Sequence, residues 1–378
     1  MNASDSFDVA IVGGGIVGLA HAWRASQRGL KVALFERDSQ AQGASVRNFG
    51  MIWPVGQPAG EPYQTALLSA KLWKELNDES VVEVEPCGSL HLAHHGDELA
   101  VLEEFCKLGS HQVKMLTAEQ VKQKTALANP DGLLGGMWSA TELRVDPRTA
   151  SAKIANWLGA KPSVSCFFDT AIAYVDSGCL EATDGRAWNA KQVVICSGSD
   201  LQTLFPEVMS SLDLRLCKLQ MLRAASQPDY QGLAPHIASG LTLRHYKSFE
   251  ACPTLAALKQ RIAKESPPLD QYGIHVMASQ FPNGKVVLGD SHEYGNEISP
   301  FDKSEIDELM LRELRKVIQL ADWTIIERWH GIYAKHPSEI VVDQEIKEGV
   351  RAFVGPGGAG MTLSFGLAEK AWAEWTGN

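Results

Sequence analysis

Asp8-Val9-Ala10-Ile11-Val12-Gly13-Gly14-Gly15-Ile16-Val17-Gly18 is the stretch whose reading decides the fold. Its first five residues read as a buried strand, and they run straight into a glycine turn and an Ala-rich helical pattern that ends near Gly29. Lys31 to Phe35 reads as a second strand, closed by Glu36. Each glycine has its own use: Gly13 turns tightly, Gly15 lets the backbone approach a pyrophosphate, and Gly18 lets the helix pack on the strands. Ile16 and Val17 open that helix, whose start carries the partial positive charge that stabilises phosphate. Glu36 lies 18 residues beyond Gly18, where a carboxylate accepts hydrogen bonds from ribose hydroxyls and repels a 2′-phosphate. FAD or NAD therefore fits and NADP does not, and Arg37 is a neighbouring cofactor-side candidate.

Gly43-Ala44-Ser45-Val46-Arg47-Asn48-Phe49-Gly50-Met51 follows the acid closely and is poor helix material. It reads either as a plain surface loop or as a segment lying along an extended FAD, with Ser45, Asn48, Gly50 and Met51 as contacts. Val164 to Val175 and Gln192 to Ile195 read as strands, the latter ending in the turn Cys196-Ser197-Gly198-Ser199. The logic repeats in Arg351–Val354, then Gly355-Pro356-Gly357-Gly358-Ala359-Gly360-Met361-Thr362, then a helical Leu363–Trp375. A glycine turn opening a helix suits the electron-rich end of a reduced flavin.

With 378 residues, 45% of them hydrophobic, the chain is comfortable as two domains. A formal net charge of −10 leaves no broad basic surface for nucleic acid. The early apolar run Val9–Ala22 is broken by glycines, lacks a basic leader and is too short to span a bilayer, so a cytoplasmic protein is expected. Seven cysteines with no C-x-x-C pair argue against a disulfide framework and a zinc site, and no metal is expected.

On these residues the chain resembles the D-amino acid oxidase, glycine oxidase and sarcosine oxidase family. The likeness rests on the Gly13–Glu36 fingerprint, the Gly43–Met51 loop, Thr170-Ala171-Ile172, Val193–Gly198, Trp329-His330-Gly331 and the Gly358–Thr362 turn. It implies that Ile172 meets the adenine through its backbone, that Met51 offers its N–H near flavin N5, and that Gly360 to Thr362 lie along the O2/N1 edge. A finer likeness, through Ala44–Pro54 and Gly289-Asp290-Ser291-His292-Glu293, is to FAD oxidoreductases associated with aminophosphonate breakdown. The expected fold is α/β, a Rossmann-like FAD-binding domain (1–85, 148–215 and 325–378) interleaved with a mixed-sheet substrate domain (86–147 and 216–324). Strands are expected at Ser89–Ala93, Leu216–Arg223, Gly273–Ala278 and Lys285–Gly289, helices at Asp97–Leu108 and Lys303–Leu320, and a loop at Ser226–Pro235.

Amine oxidation through flavin needs no protein nucleophile; the site orients the substrate, excludes water and stabilises the reduced flavin. Arg47 reads as a cofactor or substrate contact, or as a structural ion pair. Arg244 and Tyr246 either face the flavin or are solvated, and His275 is a substrate contact or a histidine satisfied inside the fold. Many relatives carry a carboxylate-gripping arginine two residues after the glycine of Trp-x-Gly; here Tyr333 stands there. The cysteine and lysine of sarcosine oxidases are replaced by His330 and Thr362, so FAD is expected to be non-covalent. A different anion, such as a phosphonate, falls to Arg47, Arg244, Lys335 or His336. The expected activity is oxidation of a small primary or secondary amine with oxygen as acceptor, in a chain free to form a homo-oligomer. A glycine- or sarcosine-type oxidase, a flavin monooxygenase consuming NAD(P)H and a flavin-holding sensor without turnover are the alternatives.

Overall fold

The computed structural model describes residues 6–227 and 234–377. Most of the loop expected at Ser226–Pro235 lies outside them. Strand Ser6–Val12 is central to an eight-stranded sheet, pairing in parallel with Val32–Phe35 on one side and Ala187–Ile195 on the other. Val350–Val354 and Val164–Phe167 extend it in parallel, and Val342–Lys347 closes one edge antiparallel. The inner strands, such as Val32–Phe35 and Val350–Val354, are nearly continuous runs of Val, Leu, Ala and Phe because both faces are covered. Helices Ile16–Gln27, Glu61–Asp78, Pro147–Gly159 and Gly360–Thr376 share one apolar cluster, while Ile172–Asp176 and Cys179–Ala182 contribute to another.

The turn between the first strand and helix requires its glycines. Gly13 has φ of +114°, and a Cβ there would lie 2.3 Å from the carbonyl oxygen of Cys196. A Cβ on Gly18 would lie 1.9 Å from the carbonyl oxygen of Gly13, so the helix seats on the turn only without a side chain.

A second, nine-stranded mixed sheet takes Ser89–Ala93, Val113–Thr117 and Gly135–Ser139 from one stretch of chain and the rest from after Leu214. Its longest pairing joins Arg215–Ala224 to Ile325–Lys335, antiparallel from Arg215↔Lys335 to Ala224↔Ile325. The segment from residue 325, expected with the FAD-binding unit, thus starts inside the other sheet, and the chain returns to the first sheet only after Lys335. The run expected as strand from Val164 to Val175 is broken at Asp169, whose φ is +49°, and the expected strand Gly273–Ala278 pairs only from Met277. Among the described residues, no helix is long and apolar enough to cross a membrane. The seven cysteines are free.

Candidate active site

A cleft of about 1570 Å³, counting space open to solvent, runs along the ends of the first sheet and under the second. Fourteen of the expected cofactor residues line it: Gly13, Gly15, Ile16, Val17, Glu36, Arg37, Ser45, Asn48, Ile172, Ser197, Gly198, Gly358, Gly360 and Met361. Arg47, Leu219 and Gly331–Ala334 line it too.

The Glu36 carboxylate accepts hydrogen bonds from the N–H groups of Gly14 at 2.8 Å and Asp38 at 3.1 Å, which fixes its orientation and leaves acceptor capacity for two hydroxyls. Arg37 pairs with Asp200 at 3.0 Å, so its charge is partly committed. Ser45 Oγ accepts from the N–H of Ile16 at 2.9 Å, pinning the loop after Gly43 to the helix start. Asn48 holds that loop in shape: its Nδ2 donates to the carbonyls of Ala44 and Ser45, and its Oδ1 accepts from Gly50 N–H. Its amide is therefore spent on the loop. Gly18, Gly50, Met51 and Thr362 stand behind the cleft wall: a Cβ on Gly50 would lie 2.1 Å from the Val145 carbonyl oxygen, and Thr362 Oγ1 accepts from Trp53 N–H at 2.9 Å. The last helix begins at Gly360, not Leu363, so its first turn reaches the cleft.

The residues present fit FAD. The Gly13–Gly15 turn leaves no room for side chains, a helix start faces the cleft, and Ser197 Oγ is buried there without a protein partner.

At the Gly331–Ala334 end, Tyr333 is buried against the closing turn, and a Cβ on Gly358 would lie 3.3 Å from its hydroxyl. Burial pushes this phenol well above its usual range, so it stays neutral. Arg47 donates to the His330 carbonyl at 3.3 Å and has no acidic partner among the described residues. Arg244 is a correction to the expected cation set: its guanidinium binds Asp270 and the Ile274 carbonyl and does not line the cleft. Its position at the end of a short 3-10 helix turns it toward the neighbouring backbone. Lys335 is half-buried, and burial together with Lys247 lowers its pKa. His336 is spent on Ser338 and Glu339 N–H groups. Tyr246 is half-buried beside Trp53, its hydroxyl 3.4 Å from Met277 Sδ.

Sequence reasoning singled out His275 but missed its company. His245, His275 and His292 form a stack with ring centroids 3.9, 4.2 and 4.9 Å apart, and Asp290 lies 3.2 Å from His275 Nε2 and 3.8 Å from His292 Nε2. His275 Nδ1 has no hydrogen-bond partner, and its Nε2 meets Asp290 Oδ1 at 3.2 Å without hydrogen-bond geometry, so neither group is fully satisfied inside the fold. Burial lowers the three imidazoles, His292 to about 4, and raises the Asp290 carboxyl well above its usual range. The group stands behind the Gly331–Ala334 end of the cleft, with His292 6.4 Å from Tyr333 between ring centroids.

Comparison with known proteins agrees with this arrangement. One of the polypeptides that make up the opine oxidase of Rhizobium meliloti is 23% identical over 94% of this chain and 90% of its own length. Glycine oxidase of Geobacillus kaustophilus is 26% identical over 55% of this chain and 59% of its own, and the crystal structure of glycine oxidase from that organism superimposes with a TM-score of 0.77 at 19% identity, covering 98% and 94% of the two chains. An FAD-bound L-alpha-glycerophosphate oxidase from Mycoplasma pneumoniae gives a TM-score of 0.74 at 17% identity, covering 98% of this chain and 94% of its own. Residues 8–374, a span that takes in the glycine turn, both sheets and the closing helix, match the model of one family, and the chain belongs to it: the FAD dependent oxidoreductases.

Proposed function

We propose that this FAD-dependent oxidoreductase oxidises a small amine bearing a strong anion, an amino- or N-alkylaminophosphonate, with molecular oxygen as electron acceptor. The observation that carries the reading is the pairing of a neutral, buried Tyr333 with an Arg47 that lines the cleft free of any acidic partner among the described residues. Tyrosine donates one hydrogen bond but cannot balance a carboxylate next to a flavin that itself becomes negative. Arginine matches a tetrahedral dianion by bidentate bonding, and Lys335 adds a second cation nearby. Amine substrates are supported by the likeness to an opine oxidase and a glycine oxidase. The seven free cysteines support a cytoplasmic setting.

Bound FAD supplies the hydride acceptor. The chain's part is to hold the substrate carbon close, with its amine nitrogen neutral, and to keep water out; Leu219, Ile332 and Tyr333 provide apolar walls for that purpose. Loss of a hydride and a proton from the CH–NH unit leaves an imine, which hydrolyses to a carbonyl compound and free amine, while oxygen takes the two electrons and two protons as hydrogen peroxide.

The test is anaerobic bleaching of the yellow protein by 2-aminoethylphosphonate and its N-methyl derivative against glycine, sarcosine and D-alanine, followed by air and a peroxide assay. Rapid bleaching by the phosphonates is expected. Efficient bleaching by the carboxylates alone would return the chain to the amino-acid oxidases.

A further inference from the structure

We infer that His245, His275, His292 and Asp290 bind a divalent transition metal of the zinc class beside the flavin cleft, a four-coordinate set that expands to a fifth position for an anionic oxygen of the substrate. The second half of that statement rests on the proposed function; the metal site does not.

The chain brings these residues together from three places. His275 and Asp290 face each other just beyond the ends of strands Met277–Gln280 and Val286–Gly289, exchanging backbone hydrogen bonds of 2.9 and 3.3 Å. His292 follows two residues later and is tied by its N–H to the Tyr272 carbonyl at 2.8 Å. His245 caps the short helix Gly240–Arg244 and completes the group. One nitrogen from each ring lies within 4.8 Å of the others.

Packing alone explains stacked rings, but it does not explain a buried carboxyl whose Oδ1 lies 3.2 Å from His275 Nε2 without hydrogen-bond geometry. His275 is buried, its Nδ1 without a partner and its Nε2 with the Asp290 contact alone. His292 has the support that metal-binding histidines have: its Nδ1 is 3.3 Å from the Gly273 carbonyl, which can only accept, so Nδ1 carries the proton and Nε2 presents the lone pair.

Three imidazoles and one carboxylate suit zinc and its neighbours rather than magnesium or calcium. Tetrahedral bonds of about 2.0–2.1 Å put ligand atoms about 3.4 Å apart. The nitrogens must therefore close by at most about 1.4 Å (4.8 − 3.4) on loading. Tyr333 and Tyr246 flank the group, at 6.4 Å from His292 and 5.9 Å from His275 between ring centroids, so a metal here would supply the positive charge that Tyr333 does not.

The experiment uses tag-free holoenzyme. Metal analysis after dialysis against zinc should give about one equivalent per chain, lost in His275→Asn and Asp290→Asn, with flavin content unchanged. Cobalt loading should add d–d bands to the red of the flavin absorption, and these should shift on adding 2-aminoethylphosphonate. Should the variants fail to fold, zinc competition between the wild-type holoenzyme and a chromophoric chelator decides the matter: retention supports the site, and no retention overturns it. Equal zinc content in wild type and folded variants also overturns it. Flavin bleaching by aminophosphonate in zinc-free protein, at the same rate as in loaded protein, removes the substrate role alone. Retained zinc without any reaction with phosphonates leaves the site standing and sinks the proposed function.

Discussion

Ser45 Oγ accepts a hydrogen bond from the N–H of Ile16 at 2.9 Å, so a loop residue caps a helix that starts 29 positions earlier. The helix has no cap of its own, because Gly15 has no side chain to offer. The same contact closes the phosphate turn and places the loop that carries Arg47. Ser45→Ala should cost about 1 kcal/mol of stability and weaken FAD binding several-fold, whereas Ser45→Thr should keep both. Fluorescence titration of apoprotein with FAD, beside a thermal melt, checks this; equal affinities would show the contact to be incidental.

Glu36→Arg should empty the cofactor site. It removes the acceptor held toward the cleft by the N–H groups of Gly14 and Asp38, a loss of about 2 kcal/mol or more for hydrogen bonds to a charged group. The ratio of flavin to protein absorbance after purification is the readout.

FAD should leave the protein on acid precipitation, since His330, bonded to Asp302 at 2.9 Å, stands where a thioether-forming cysteine is expected by resemblance. A yellow pellet would contradict this.

Arg47→Met and Arg244→Met should part ways. Arg47 lines the cleft, so its loss should raise KM for an anionic amine at least tenfold with the flavin spectrum little changed. Arg244 holds Asp270 and a backbone carbonyl, so its loss should cost about 1–2 kcal/mol of stability and leave KM nearly alone. Steady-state kinetics and melts on the pair decide which cation meets substrate.

Acid should loosen the second unit through Asp97. Burial acts to raise its carboxyl, but the hydrogen bonds and charge of Arg261 outweigh this and hold it below the usual range. A depressed folded value means the stabilisation is whole above the unfolded value of about 3.9 and disappears as pH falls through the folded one. Asp97→Asn should lower Tm at pH 7, by about 1 kcal/mol of stability, and flatten its decline below about pH 4. Parallel wild-type and variant curves would refute the assignment.

The nucleotide-binding half was legible because its signal is local: strand, glycines, helix, strand and acid lie within residues 8–36, and each constrains its neighbour. The closing turn was legible for the same reason, though its helix starts three residues early because Gly360 tolerates the first turn. The second unit's boundary was not, because the pairing of Ile325–Lys335 with Arg215–Ala224 spans about a hundred residues and leaves no mark in either segment. The histidine group was hidden likewise. Residues 245, 275 and 292 show no ligand spacing, and each alone resembles a core histidine.

The strand Ile325–Lys335 has one more consequence, for how such a chain can be cut and rebuilt. It is hydrogen-bonded into the second sheet along its length, yet Tyr333 and Lys335 reach the flavin turn, where Lys335 bridges to Pro356. The cleft wall is therefore not part of a cassette between two hinges. Exchanging the second unit with that of a relative at residues 216 and 324 would separate the partners of the ten-residue pairing between Arg215–Ala224 and Ile325–Lys335. A chimera joined after Lys335 keeps that pair intact and carries the cleft wall with the sheet that supports it.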